Sequence, residues 1–263
     1  MGLANLGIRQ MIEDKKLTYK AIAKNMGVTP EYLSRVMAKE LSLPMRSRIV
    51  EAITGVKKME HKVLIAMPAL DVMPTQTTWS LLNLKRDCPS RFSFIVRASC
   101  HDARNMLARE AIESGADRVL WIDSDMVFDE DLMVKLNADL DAGWDMVCGI
   151  YFKRELPVTP VIYSDINAEE RRTRVYTDYP KDALFAINGC GFGAVMTTVK
   201  LLDDVRMSWG GAMFDPLPGL SEDLSFCYRA DKVGARIACD SRIKVGHVGQ
   251  IVYGEKMYKH PGG

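Results

Sequence analysis

The chain has 263 residues, 48% of them hydrophobic and 26% charged. That profile excludes a disordered or fibrous chain and allows one large domain or two unequal ones. The net charge of +1 leaves no global field to select a partner, but its distribution is uneven. Residues 1–60 carry eleven Lys and Arg against six Asp and Glu, a balance of +5, and the remainder carries 24 against 28, a balance of −4.

Residues 3–54 read as helices throughout. "LANLGIRQMIEDKK" places Leu6, Ile8, Met11 and Ile12 at helical spacing. Thr18 opens "YKAIAKNMG", with Ala21, Ile22 and Met26 on one face and Gly27 as a stop. Thr29 and Pro30 form an N-cap and first-turn pair for "EYLSRVMAKE". There Leu33 and Val36 face inward and Glu31, Ser34 and Arg35 face out. A last helix runs through "MRSRIVEAI", and "TGVKKMEHK" reads as a linker, which sets domains at 1–58 and 59–263.

From Lys62 strands alternate with helices. "KVLIAMPAL", "RFSFIVRAS", "RVLWI" and "DMVCGIYF" read as strands. "TQTTWSLLNLKRD", "DARNMLAREAIESG" and "EDLMVKLNADLDAG" read as the helices between them. This order predicts an α/β domain, a mainly parallel sheet with helices on both faces. Ligands of such sheets lie beyond the strand C-termini. Six cysteines lie scattered without a CxxC pair, the pattern of buried thiols in a reducing cytoplasm. Charges interrupt the first twenty residues, so no signal peptide is expected. The longest weakly polar run, "ALFAINGCGFGAVMTTV", falls short of the roughly 20 apolar residues of a spanning helix. Its glycines read as allowing close approach to a sugar or an acceptor.

The apolar run "RVLWI" stops at Asp123, followed by Ser124 and Asp125. Two carboxylates one residue apart, at a strand's C-terminal end, suit a hard divalent cation that bridges to a diphosphate. The alternative is a helix-capping turn before "DEDL". Downstream, Ser221 reads as an N-cap that places Glu222 and Asp223 in a first helical turn. Acids there complement the helix dipole, or one serves as a general base. His247 lies between glycines after "RIKV", either structural or a metal ligand.

The order strand, Asp-x-Asp, then Glu-Asp opening a helix with Phe226, Cys227 and Arg229, then His247, resembles the GT-A glycosyltransferases. It is most similar to the family 2-like enzymes of bacteria and phages, over about residues 62–250. The resemblance implies Mn2+ or Mg2+ and a nucleotide-sugar donor such as a UDP-sugar. Asp123 would face the ribose and metal, with Ser124 beside it, and Asp125 and His247 would be metal ligands. Pro68 and Ala69 would border the base. Arg104 would contact the nucleotide, unless it forms a surface ion pair with Asp102. Asp223 would be the base and Glu222 would orient the acceptor. Lys153 and Arg154 would meet phosphate or acceptor, or form a solvated turn. "WGG" at Trp209–Gly211 echoes retaining members, which leaves both stereochemical outcomes open.

"LTYKAIAKNMGVTPEYLSRVMAKE" is similar to the helix-turn-helix of phage-repressor-like regulators, over about residues 5–54. Thr29, Glu31, Ser34 and Arg35 would then meet duplex DNA, with Lys20, Lys24 and Lys39 near phosphates. The alternative is a helical module for packing or homodimerisation. Three readings follow. One is a transferase directed to DNA, in phage-type base hypermodification within a bacterial cell or infected host. Another is a transferase acting on a glycan or protein. The third is a DNA-binding regulator with a sugar-nucleotide sensor.

Overall fold

The computed structural model describes residues 5–14, 17–39, 41–54, 61–249 and 252–258. The chain divides into two compact units, Met1–Glu60 and His61–Gly263.

Among the described residues the first unit holds four helices: α1 (Leu6–Asp14), α2 (Tyr19–Met26), α3 (Pro30–Met37) and α4 (Leu43–Thr54). Their ends follow local chemistry. The Thr18 hydroxyl accepts from Ala21 N–H at 3.2 Å, and Gly27 ends α2 in the left-handed region at φ 67°. The Thr29 hydroxyl accepts from Tyr32 N–H at 3.2 Å, one residue before Pro30. Ile8, Ile12, Ile22, Ala23, Leu33, Met37, Ile49 and Ile53 form the core. Two inward faces differ from expectation. Ala23 joins Ile22 while Ala21 is exposed, and Met37 rather than Val36 lies fully buried beside Leu33. The i, i+4 step from Leu33 stays on the buried stripe, and Val36 falls on its flank. Most of the predicted linker, 55–60, lies outside the described residues.

The second unit is mixed α/β. Its strands are β1 (Val63–Ala69), β2 (Ser90–Val96), β3 (Arg118–Ile122), β4 (Met126–Phe128), β5 (Met146–Ile150), β6 (Ile162–Asn167), β7 (Arg172–Val175), β8 (Leu184–Ala186), β9 (Gly189–Cys190), β10 (Ala194–Thr198), β11 (Ile237–Val248) and β12 (Val252–Tyr253). Its helices are α5 (Thr75–Asn83), α6 (Cys100–Glu113), α7 (Leu132–Asp141), α8 (Val199–Trp209) and α9 (Glu222–Lys232). The main sheet has the order β12-β11-β5-β10-β3-β1-β2, with β4 and β8 also on β11. Strands β1, β2, β3, β5 and β11 run the same way, and β10 runs against both β3 and β5. A smaller sheet has the order β7-β6-β9.

Every residue of β3 and β5 is buried, which is why Val119–Ile122 and Met146–Ile150 read as unbroken apolar runs. On one face Trp121, Cys148 and Val195 pack with Leu107 of α6, Leu202 of α8 and Phe226 of α9. On the other, Leu120, Val147 and Met196 pack with Leu132, Met133 and Leu136 of α7. The strand expected to run to Ser99 ends at Val96, because Arg97 adopts φ 60° and turns the chain. "RIKV" is the middle of the twelve-residue β11, and the helix expected over 75–87 stops at Asn83. Cys148, Cys190, Cys227 and Cys239 are free and buried.

The glycines of "NGCGFG" approach the chain's own side chains rather than an open cleft. A Cβ on Gly189 would stand 2.4 Å from Ile166 Cδ1, and one on Gly193 2.5 Å from Met126 Cε. One on Gly191 would stand 1.9 Å from Tyr151 Oη.

A buried carboxyl pair lies between α7 and β11. Asp139 has one oxygen, Oδ2, buried without a hydrogen-bond partner, while Asp240 is held by Arg242 at 2.7 and 2.8 Å. Burial, and then the neighbouring Asp240, raise the Asp139 pKa from 3.8 to about 7, against the pull of Arg242. A proton on Asp139 turns it into a donor toward Asp240. The folded state therefore binds more protons than the unfolded chain between those values. Stability falls as pH rises through that window and stays low above it. Asp139→Asn is expected to raise the melting temperature at pH 8 by roughly 2–6 °C and to give little gain at pH 4. Calorimetric melts at the two pH values check it.

Candidate active site

The end of β3 fixes the first acid. After Ile122 the chain turns tightly, with Met126 N–H donating to Asp123 O at 3.3 Å. Backbone bonds hold the turn on two sides. Asp123 N–H donates to Gly193 O at 3.1 Å, and Val248 N–H donates to Asp125 O at 2.8 Å. The turn delivers the chain into β4, where Met126 pairs with His247 of β11. Ser124 is buried inside it.

Arg104, in the second turn of α6, is 2% exposed. Its Nη2 donates to Asp123 Oδ1 at 2.9 Å and its Nη1 to Glu222 Oε1 at 2.7 Å, with the guanidinium 5.2 Å from the Phe192 ring centroid. It makes no pair with Asp102, which instead accepts the Ser99 hydroxyl at 2.6 Å at the helix cap. Burial works against the charge of Arg104, and Asp123, Cys100, Asp223 and Glu222 outweigh it and push the pKa above its ordinary value.

Glu222 and Asp223 open α9. Ser221 stands at the N-cap position, but its hydroxyl donates to the Asp223 carboxylate rather than capping the backbone. Asp223 also accepts from Leu224 N–H at 2.8 Å. Burial pushes the Asp223 pKa up, with Arg104 and the Ser221 bond acting the other way. Asp123 retains 27% of its side-chain exposure, yet lies deep enough in the crevice for burial to raise its pKa as well, against Arg104. Asp125 goes the other way. Burial disfavours its charge, but His247 and Arg154 outweigh that and hold its pKa down.

Asp125 Oδ2 lies 2.9 Å from Arg154 Nη1 and 3.4 Å from His247 Nε2. His247 Nδ1 stands 3.0 Å from Phe152 O. A carbonyl only accepts, so Nδ1 carries a proton and fixes the imidazole from behind. His247 Nε2 and the Asp125 carboxylate oxygen beside it form a nitrogen-plus-oxygen donor pair that suits a divalent cation such as Mn2+. Asp123 does not complete that set, because Arg104 engages it. Among the described residues no group of three or more His, Cys, Asp and Glu side chains is placed to hold a metal.

Pro68 and Ala69 end β1 at the same edge as Asp123, as the register Ala66 to Trp121 requires. Lys153 is exposed, with Nζ 3.9 Å from Glu155, and is not brought to the acids. Sequence reasoning missed Tyr151, buried behind this cluster with its ring edge-on to His247. It also missed Asn105, which donates to Asp215 at 2.7 Å and accepts from Phe214 N–H at 2.9 Å, tying the loop before α9 to α6.

Fold and site together define a mixed α/β protein with a cluster of carboxylates, Arg104, Arg154 and His247 at the C-terminal edge of a mainly parallel sheet. No family model matches the chain, and no curated protein matches it. Among solved structures it is similar to that titled "Crystal Structure of A197 from STIV", with a TM-score of 0.53 and 20% identity over 72% of this chain and 86% of that one. At that identity the likeness concerns the fold alone.

Arg104 makes a sharp prediction. Arg104→Met leaves Asp123 and Glu222 facing each other uncompensated and should destabilise the chain by about 3 kcal/mol. Adding Glu222→Gln should restore part of that loss. Urea denaturation of the single and double variants measures both.

Proposed function

We propose that this chain is a metal-dependent glycosyltransferase of the GT-A type, moving a sugar from a nucleotide-sugar donor to a hydroxyl. The observation that carries the reading is the grouping of Asp123, Asp125, His247, Glu222 and Asp223 at one edge of the sheet, with Asp125 held toward its charged form and Asp123 and Asp223 pushed toward protonation. Asp125 and His247 would hold Mn2+ or Mg2+, and Asp123 would turn to the donor once Arg104 shares its charge with the ligand. When bound, the cation stabilises the charge gathering on the departing nucleoside diphosphate. Arg104, and Arg154 beside Asp125, add positive charge on the same side. Pro68 and Ala69 would border the base of a UDP-sugar or related donor.

Asp223 would accept the proton of the attacking hydroxyl. Burial makes its carboxylate more basic, and the Ser221 hydroxyl and Leu224 N–H fix its orientation. Glu222, anchored by Arg104, borders the acceptor. The exposed position of Lys153 favours the solvated turn over a phosphate contact.

The first unit extends the reading. Glu31, Ser34 and Arg35 share the exposed surface of α3, and Tyr32 joins them with the Arg35 guanidinium 5.7 Å from its ring. Thr29 spends its hydroxyl on the cap of α3, which leaves it a weaker candidate for reading bases. With the +5 balance of residues 1–60, this surface suits a helix-turn-helix on duplex DNA. The acceptor would then be a hydroxylated base in DNA. With a glycan or protein acceptor the helical unit would instead serve dimerisation, and as a sensor the chain would bind donor without turnover.

Calorimetry with nucleotide sugars, with and without Mn2+, tests the transferase. Asp125→Ala should remove metal-dependent donor affinity. Asp223→Asn should keep that affinity and lower transfer by about 10²–10⁴-fold. A wild-type chain that binds no donor in Mn2+ sinks the reading, and near-normal transfer by Asp223→Asn removes Asp223 as base.

Anisotropy titrations of duplex DNA at several salt concentrations test the other unit. Affinity should fall steeply with salt. Arg35→Glu should weaken it and lower the salt slope by about one phosphate contact or more. Binding equally tight at all salt concentrations, or unchanged by Arg35→Glu, rejects DNA as the partner.

A further inference from the structure

Tyr151 follows β5 directly and is 5% exposed. Two separate lines of contact meet on it. Its Oη accepts the N–H of Gly193 at 3.4 Å, and the carbonyl of the same glycine accepts Asp123 N–H at 3.1 Å. Gly193 thus connects the phenol to the turn that carries the first acid. The Tyr151 ring also stands edge-on to the His247 imidazole, with centroids 5.8 Å apart at 81°. The carbonyl of the next residue, Phe152, accepts a hydrogen bond from Nδ1–H of the same imidazole. Residues 151 and 152 therefore hold His247 from two directions.

The glycines around Gly193 make room for this side chain. A Cβ on Gly191 would fall on Oη, at 1.9 Å, and one on Gly193 would lie 3.0 Å from Cζ. Both missing Cβ atoms leave that side of the chain open where the phenol lies. Burial, then Asp223 and Asp123, push the phenol pKa well above 10. The hydroxyl stays protonated at neutral pH, its oxygen accepting from Gly193.

We infer that Tyr151 is a positioning residue whose hydroxyl anchors the Asp123 turn through Gly193 and whose ring fixes His247 toward Asp125. One buried side chain then sets the spacing between the two parts of the crevice. This deepens the transferase reading and rests on it in the kinetic arm of the test alone.

The test uses the full chain, Tyr151→Phe and Tyr151→Leu, with NMR of the Gly193 amide and of the His247 ring nitrogens. Tyr151→Phe keeps the ring and loses the hydroxyl. Its Gly193 amide should move upfield and exchange faster, while His247 keeps its proton on Nδ1. Tyr151→Leu loses the ring, and the His247 proton should redistribute between Nδ1 and Nε2. In Mn2+-dependent hydrolysis of a nucleotide sugar, Tyr151→Phe should lower kcat about tenfold with KM little changed, the effect of a misplaced group rather than a lost contact. An unchanged Gly193 amide in Tyr151→Phe overturns the inference, as does an unchanged His247 in Tyr151→Leu. Should Tyr151→Leu fail to fold, the Gly193 amide of Tyr151→Phe decides. If the wild-type chain hydrolyses no nucleotide sugar, the transferase reading fails and the two NMR signatures still judge Tyr151.

Discussion

A guanidinium shut off from water organises the ligand edge of this molecule. A buried charge is costly unless it is paired and hydrogen-bonded. Arg104 meets that demand with carboxylates from two other parts of the chain, Asp123 after β3 and Glu222 at the start of α9. Losing either acid would leave the buried cation half-paired, so the two pairs hold α6, β3 and α9 in their relative positions. Asn105 extends the constraint through Asp215 and Phe214, and Arg229 extends it through the carbonyls of Met213 and Asp215. The loop leading into Asp223 is tied to α6 at Phe214 and Asp215 and to α9 through Arg229.

Within that frame, neighbouring acids acquire different characters. Asp123 and Asp223 are enclosed enough for burial to favour their protonated forms, although Arg104 opposes this. Asp125 has His247 and Arg154 beside it and keeps its charge down to lower pH. Under the proposed transferase, one carboxylate would hold a cation and another accept a proton, roles that call for carboxylates of both kinds. Their difference arises from which side chains each acid faces, not from residue type.

The parts legible in sequence were those governed by short-range pattern. Unbroken apolar runs marked β3 and β5, because both faces of each strand are covered, and the polarity change at Asp123 marked where the strand meets the crevice. The caps Thr18 and Thr29 were legible because capping is decided within three residues. Long-range choices were not. Nothing nearby distinguishes Asp102 from Asp123 as the partner of Arg104, since that choice depends on burial. Strand β10 was hidden in a Gly-rich stretch with neither alternation nor a long apolar run. Tyr151 looked like the end of a strand. The signal for it lay in Gly191 and Gly193, whose missing Cβ atoms both leave room for a bulky neighbour.

The reversed strand β10 also bears on how the chain assembles as it is made. Strands β1, β2 and β3 are neighbours and leave the ribosome within sixty residues of one another, so their pairing can begin early. Strand β5 has no such option. Its neighbours in the main sheet are β10 and β11, both synthesised later, and β10 is also what joins it to β3. The stretch from Met146 to Ile150 must therefore emerge as a fully apolar strand with both edges open, and wait for Ala194–Thr198 before it can join the sheet. Such delayed non-local pairing is where nascent chains are most exposed to aggregation. The whole segment between β5 and β10 has to be made before that strand can be covered on its β3 side.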